Sequence, residues 1–212
     1  NTPDPTTDWE EFPGGGGGSV PPVGNENPPR PPDCPEQDFG FTANDAKQDS
    51  NFNIQELSAL AQMAVGESGY SFNRQKTEAV IATAVNRLSA NVIYASQRQP
   101  MPFIGGLDMM KILSSGYDAT RWQSGAKKLN QAKSQNGGTL PEVYVCDQLV
   151  AAKKYIRHIK GVNLNSPNNA AWAEYPFTSN FGGGLRVPLA PGDVGSGARA
   201  IYGNTIFYNR RF

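Results

Sequence analysis

Residues 75–89 read Gln-Lys-Thr-Glu-Ala-Val-Ile-Ala-Thr-Ala-Val-Asn-Arg-Leu-Ser. Ala79, Val80, Ile81, Ala82, Ala84 and Val85 set apolar side chains nearly all round a 3.6-residue period, the pattern of a helix enclosed by its neighbours. Such a buried central helix needs other elements to cover it, and the sequence on either side supplies them. Upstream, Ile54, Leu57, Ala61 and Ala64 recur at three- and four-residue intervals, Leu60 widens the stripe, and Gly66 and Gly69 mark its end. Downstream, helices are expected at 106–115, 119–135 and 141–160. They are closed by Gly116, by Asn136, Gly137 and Gly138, and by Gly161 as a C-terminal cap.

The last fifty or so residues change character. Gly182, Gly183, Gly184, Pro188 and Pro191 interrupt any regular element, and only Thr205–Tyr208 reads as a strand. The first stretch, to about residue 38, is dominated by proline, glycine and polar residues, including the glycines at 14–18 and Pro28, Pro29, Pro31 and Pro32. The expected organisation is an extended Pro/Gly-rich arm or linker at 1–50 and one mainly α domain at 51–212 with an irregular C-terminal region. Trp9, Phe12, Phe39 and Phe41 would let the arm lie along the domain surface.

Nineteen basic and nineteen acidic residues give a formal net charge of zero, so no global field steers the protein to nucleic acid or to an anionic membrane. No apolar run reaches about 18 residues and the N-terminus lacks a basic-then-apolar order, so neither membrane insertion nor an export signal is expected. Cys34 and Cys146 have no metal-type spacing; the choice is one disulfide or two free thiols. A disulfide would pin the arm and would suit an extracellular site.

Residues 64–70, Ala-Val-Gly-Glu-Ser-Gly-Tyr, hold the chemistry. Continuing the phase of Leu60 and Ala64 puts Glu67 on the flank of the apolar stripe. A carboxyl held against apolar side chains has its charged form disfavoured, and a carboxyl that stays protonated can act as a general acid. Ser68 is placed to hold the carboxyl or a leaving oxygen, and Gly69 leaves room for substrate. The bland alternative is a Glu near a helix end that pairs with Arg74 or Arg87.

The pentapeptide Gly66, Glu67, Ser68, Gly69, Tyr70 resembles the Glu-Ser signature of lytic transglycosylases, which implies a lysozyme-like fold and one catalytic Glu. The longer stretch 63–88 resembles cell-wall hydrolases of the spore-cortex-lytic type, in which a Gly-Glu is followed by a buried Ala/Val-rich helix ending in Asn-Arg, here Asn86 and Arg87. That likeness covers residues 54–90, with a weaker echo at 203–208. It departs from the pattern in the spacing after Glu67 and in lacking the family's C-terminal His.

The whole chain, from the arm to Asn209, Arg210, Arg211 and Phe212, resembles the lytic enzymes of the enveloped double-stranded RNA bacteriophages. That resemblance implies a virion protein that opens host peptidoglycan at entry and at lysis, acting in the host periplasm. Its partners would be peptidoglycan and virion nucleocapsid or envelope proteins. It also implies an endopeptidase of the peptide cross-links, which conflicts with the glycan chemistry of the Glu motif.

The residues favour the sugar bond. A zinc peptidase needs three ligands, commonly histidines, and the chain has one, His158. Cys146 and His158 fall in one expected helix, about 18 Å apart at 1.5 Å rise per residue, too far for a Cys/His pair. A Ser/His/Asp triad on His158 has no nucleophile-elbow sequence behind it. No cofactor or metal is called for, and a monomer is expected.

Glycoside hydrolysis normally takes two carboxylates, roughly 5 to 9.5 Å apart according to mechanism. A lytic transglycosylase manages with one, because the substrate's own hydroxyl attacks. Candidates for a second are Glu78, Asp108, Asp118, Glu142 and Glu174. Sugar contacts would come from amides and aromatics. Gln75, Tyr94, Trp122, Trp172, Tyr175 and Tyr208 belong to that pool; Ser68 and Tyr70 are favoured by adjacency to Glu67, and Asn86 by the motif. The reading from another class is a catalytically idle peptidoglycan-binding or virion-surface protein in which Glu67 is structural.

Overall fold

The computed structural model describes residues 33–47, 50–69, 71–116, 119–182, 199–203 and 205–208. The chain divides into two units, Asn1–Arg30 and Pro31–Phe212, and the second carries every element below. The readings placed on Trp9, Phe12, the glycine run and the last four residues lie outside the described residues.

The protein is mainly helical. α1 (Ile54–Glu67) opens with a capping box: Asn53 Oδ1 accepts from Glu56 N at 3.0 Å while Glu56 Oε2 accepts from Asn53 N at 2.9 Å. α2 (Arg74–Ser96) is capped by Asn73, and every residue from Lys76 to Asn91 is buried. The expected helix end at Ser89 is wrong, and α2 runs on to Ser96. Its polar residues there bind the loops packed around the helix. Arg87 Nε donates to Thr178 O at 2.6 Å, Ser89 Oγ to Leu164 O at 2.6 Å, and Asn91 Nδ2 to Phe103 O and Gly106 O at 3.0 and 2.7 Å. The chain leaves α2 through Arg98, whose φ of 57° occupies the left-handed region usually given to glycine.

α3 (Met109–Gly116) begins later than residue 106, because Gly105 and Gly106 turn the chain at φ 107° and 61° and Asp108 then caps the helix, its Oδ1 accepting from Lys111 N at 3.1 Å. α4 (Ala119–Gln135) and α5 (Val143–Ile159) stand close to their expected positions. A short α6 (Ala170–Glu174), capped by Asn169, was not anticipated. Beyond it, β1 (Ser179–Gly182), β2 (Arg199–Tyr202) and β3 (Thr205–Tyr208) form an antiparallel sheet in the order β1-β3-β2. Only the central strand was legible, because only it is buried along its whole length.

α1 packs against α2, α3, α4 and α5, while α2 also meets α3, α5, α6 and β1. The α1–α4 approach is backbone-close: a Cβ on Gly125 would stand 2.1 Å from Gln62 O. Residues 33–47, grouped with the arm by composition, are fastened to α5. Cys34 and Cys146 form a disulfide with Cα atoms 5.6 Å apart. Glu36 pairs with Lys153 at 2.5 Å and Arg157 at 2.9 Å, Asp45 pairs with Arg157 at 3.1 Å, and buried Phe41 lies under both cations. Among the described residues no helix is long and apolar enough to cross a membrane.

Candidate active site

Glu67 is the last residue of α1, and only 8% of its surface is exposed. The end of a helix leaves carbonyls without partners, and here a buried cation takes them. Lys128 of α4 reaches across and donates from Nζ to Val65 O at 2.9 Å, Gly66 O at 3.2 Å and Gly69 O at 2.7 Å. Gln148 of α5 adds Nε2 bonds to Gly69 O and Ser71 O at 3.2 and 3.1 Å. Gly69 itself turns at φ 75°, a conformation that a side chain would oppose. The carboxyl thus sits on a helix end held from two other helices.

Ser68 joins this fastening. Its Oγ donates to Ala64 O at 2.7 Å and pairs with Thr77 Oγ1 at 3.0 Å, joining the end of α1 to the start of α2. Tyr70, the other neighbour favoured for substrate, lies outside the described residues, as does Asp118. Arg74, a suggested partner of Glu67, binds Glu78 instead, Nε to Oε1 at 2.6 Å.

A second locus lies at the start of α2. A cleft of about 520 Å³ is lined from α2 by Arg74, Gln75 and Glu78, and from α5 by Lys154, Tyr155 and His158. Glu174, Tyr175 and Tyr202 close its third side. Tyr175 Oη donates to Glu78 Oε2 at 2.6 Å, and His158 Nε2 stands 2.7 Å from Glu174 Oε1. Burial, then the Glu78 hydrogen bond and charge, raise the Tyr175 phenol above its usual range, so it remains a donor. Tyr155 is 4% exposed, its hydroxyl oxygen shielded from solvent beside Glu174. Burial first, then the nearby Glu174 and Tyr175, raise its pKa too.

Neither a family model, nor a curated protein, nor a solved structure matches this chain. The reading of the site therefore stands on its own residues. Of the expected site residues, the structure brings Gln75 into the cleft with Glu78, Glu174, His158 and Tyr175, and leaves Glu67 outside the cleft lining.

Asn86 is fully buried, its Nδ2 donating to Tyr175 O at 2.7 Å and Phe177 O at 2.9 Å. It holds in place the segment that carries Tyr175 into the cleft wall. Lys154, Tyr155 and Tyr202 were missed by sequence reasoning. The spacing of Tyr155 and His158, one turn apart on α5 beside Lys154, is the signal that could have found them. Among the described residues no group of three or more His, Cys, Asp or Glu side chains is arranged to hold a metal ion.

Proposed function

We propose that this chain is a peptidoglycan-degrading enzyme of lysozyme-like fold, borne by a virion and acting on the host wall from the periplasm, with Glu67 as its general acid and base. The observation that carries the reading is the nearly buried carboxyl of Glu67 on a helix end fixed by the buried Lys128 ammonium. A general acid must meet the leaving oxygen in one geometry, and a helix end held by three carbonyl contacts supplies a fixed starting point. Protonated Glu67 gives its proton to the glycosidic oxygen. The resulting carboxylate then takes a proton from the substrate's own hydroxyl as that oxygen attacks the anomeric carbon.

One-carboxylate chemistry of the lytic-transglycosylase kind is favoured by what the other acids do. Asp108 caps α3, Glu142 stands at the N-cap of α5, Glu174 bonds His158, and Glu78 is tied to Arg74 and Tyr175. The disulfide suits the oxidising periplasm. An endopeptidase finds less support: Cys146 is bonded to Cys34 and is no thiolate, and among the described residues no Ser, Thr or Cys lines the cleft that holds His158.

The test is Glu67→Gln. Clearing of a peptidoglycan suspension should stop, and mass spectrometry of the wild-type digest should show anhydromuramic ends. Clearing at the wild-type rate by the variant would leave a binding protein, and freed peptide amines without glycan products would make the enzyme an endopeptidase.

A further inference from the structure

Among the described residues, the loop between α2 and α3 carries the densest run of exposed apolar side chains. Met101, Ile104 and Leu107 are 45, 82 and 57% exposed, three of the seven large hydrophobics that stand in water. Singly scattered apolar residues are ordinary on a surface, whereas three within seven consecutive positions form a patch. An isoleucine exposed to this degree has little protein beside it. Ile104 is a knob at the tip of a loop, not the wall of a groove.

The knob stands on a rigid support. Asn91 of α2 is fully buried; its Oδ1 accepts from Phe103 N at 2.9 Å, and its Nδ2 donates to Phe103 O at 3.0 Å and Gly106 O at 2.7 Å. Ser115 of α3 donates from Oγ to Ile104 O at 3.3 Å. Gly105, at φ 107°, lies so close to α3 that a Cβ would stand 2.6 Å from Ile112 N. The backbone on both sides of Ile104 is therefore held. Burying that side chain would favour folding, and the fold holds it in water instead.

Charge identifies what such a knob meets. From Ala79 to Gly116 the chain has three cations, Arg87, Arg98 and Lys111, and one carboxylate, Asp108. Asp108 is occupied in capping α3 and in a 3.8 Å pair with Lys111. Residues 163–168, beside α2 through the bond from Ser89 to Leu164 O, carry no charge. Arg98 and Lys111 flank the apolar tip in sequence, and both are exposed. An apolar tip between exposed cations matches the layers of an anionic bilayer surface, with acyl chains below and phosphates at the rim. The long stems of the two cations let their charges stay with the phosphates while the tip goes deeper.

We propose that this loop is a peripheral membrane anchor, seating Met101, Ile104 and Leu107 in the interface of an anionic lipid bilayer with Arg98 and Lys111 on the lipid phosphates. Three side chains and two cations give reversible attachment, not a span. The attachment does not rest on the peptidoglycan reading, because it needs neither Glu67 nor the cleft. In an enzyme of the cell wall it would hold the catalytic unit at the membrane face of its substrate.

Flotation of the full chain with vesicles of phosphatidylethanolamine and phosphatidylglycerol tests it, against vesicles of phosphatidylcholine alone. The wild type should float with the anionic vesicles and far less with the neutral ones. Ile104→Ser with Leu107→Ser should lower partitioning to the anionic vesicles by about tenfold or more, and Lys111→Gln by about fivefold. These side chains are exposed, so the variants should keep the wild-type melting temperature. Ile104→Trp should strengthen binding, and its emission should shift to the blue when vesicles are added.

No binding of the wild type to anionic vesicles, undiminished binding by the double serine variant, or equal binding to neutral vesicles would each overturn the anchor. So would self-association through these residues, read in sedimentation velocity as a larger species that the double serine variant abolishes without any change in flotation. Glu67→Gln should float as the wild type does, so the anchor and the catalytic reading fail separately.

Discussion

The ammonium of Lys128 stands 2.7 Å from the carbonyl oxygen of Gly69, the turn residue two positions after Glu67. With Val65 O and Gly66 O also in its reach, it gathers the ends of three peptide units whose dipoles point at it. A buried lysine is costly to desolvate, so its contacts have to offset that cost.

Replacing it should therefore hurt twice. Lys128→Met keeps the length of the side chain and loses the donors, and should destabilise the fold by about 2–4 kcal/mol in urea melts. If Glu67 depends on this helix end, kcat should fall by a larger factor than KM rises. A variant with wild-type clearing kinetics would show that the cap does not serve the acid.

Gly125 is a packing position, not a flexible one. A Cβ there would stand 2.1 Å from Gln62 O, which is backbone and cannot step aside. Gly125→Ala should push α4 off α1 and cost about 1–3 kcal/mol or more by thermal unfolding, although alanine has the better helix propensity. An unchanged or higher melting temperature would contradict the close approach.

The disulfide closes a loop across a sequence separation of 112, and Cys34 is 4% exposed within the apolar cluster of Val65, Leu129, Leu140 and Leu149. Reduction, or Cys34→Ser with Cys146→Ser, should lower stability by about 2–5 kcal/mol. The measurement is a denaturant melt with and without reductant. Indistinguishable midpoints would mean that residues 33–47 hold to α5 by their ion pairs alone.

Those ion pairs set an acid limit. For Glu36, desolvation alone would raise the carboxyl, but hydrogen bonds from Lys153 and Arg157 outweigh it and bring it below 4.5; for Asp45, bonds from Thr42 and Arg157 likewise bring it below 3.8. A depressed carboxyl adds stability above its unfolded value and gives it up as pH falls through its folded value. Stability should therefore hold down to about pH 4.5 and then fall. Glu36→Gln should flatten that acid limb in melts at graded pH, and an equally steep limb in the variant would assign the loss elsewhere.

How far the sequence could be read follows from what each signal depends on. The all-round apolar run at 79–85 depends on burial alone, and α2 is indeed enclosed. Its end was misplaced because Arg98 carries a left-handed turn without glycine, and because Asn91 looks like a helix stop while it holds a loop. β1 and β2 were invisible because four-residue strands with one covered partner carry no period of their own. At the site, Glu67 could be placed from helical phase, whereas the cleft is assembled from α2, α5 and the segment after α6, and no local pattern reports that convergence.

Asn86 shows how a motif residue and a site residue part company. Its amide donates to the carbonyls of Tyr175 and Phe177, and its side chain is fully buried, so substrate does not meet it. It fastens to α2 the segment that carries Tyr175 into the cleft beside Glu78. Removing it strands two buried carbonyls next to a cavity, so Asn86→Ala should cost about 2–4 kcal/mol. Any loss of activity should follow the loss of folded protein and disappear when rates are measured well below the melting temperature. A variant that keeps its melting temperature but binds glycan more weakly would return Asn86 to the substrate.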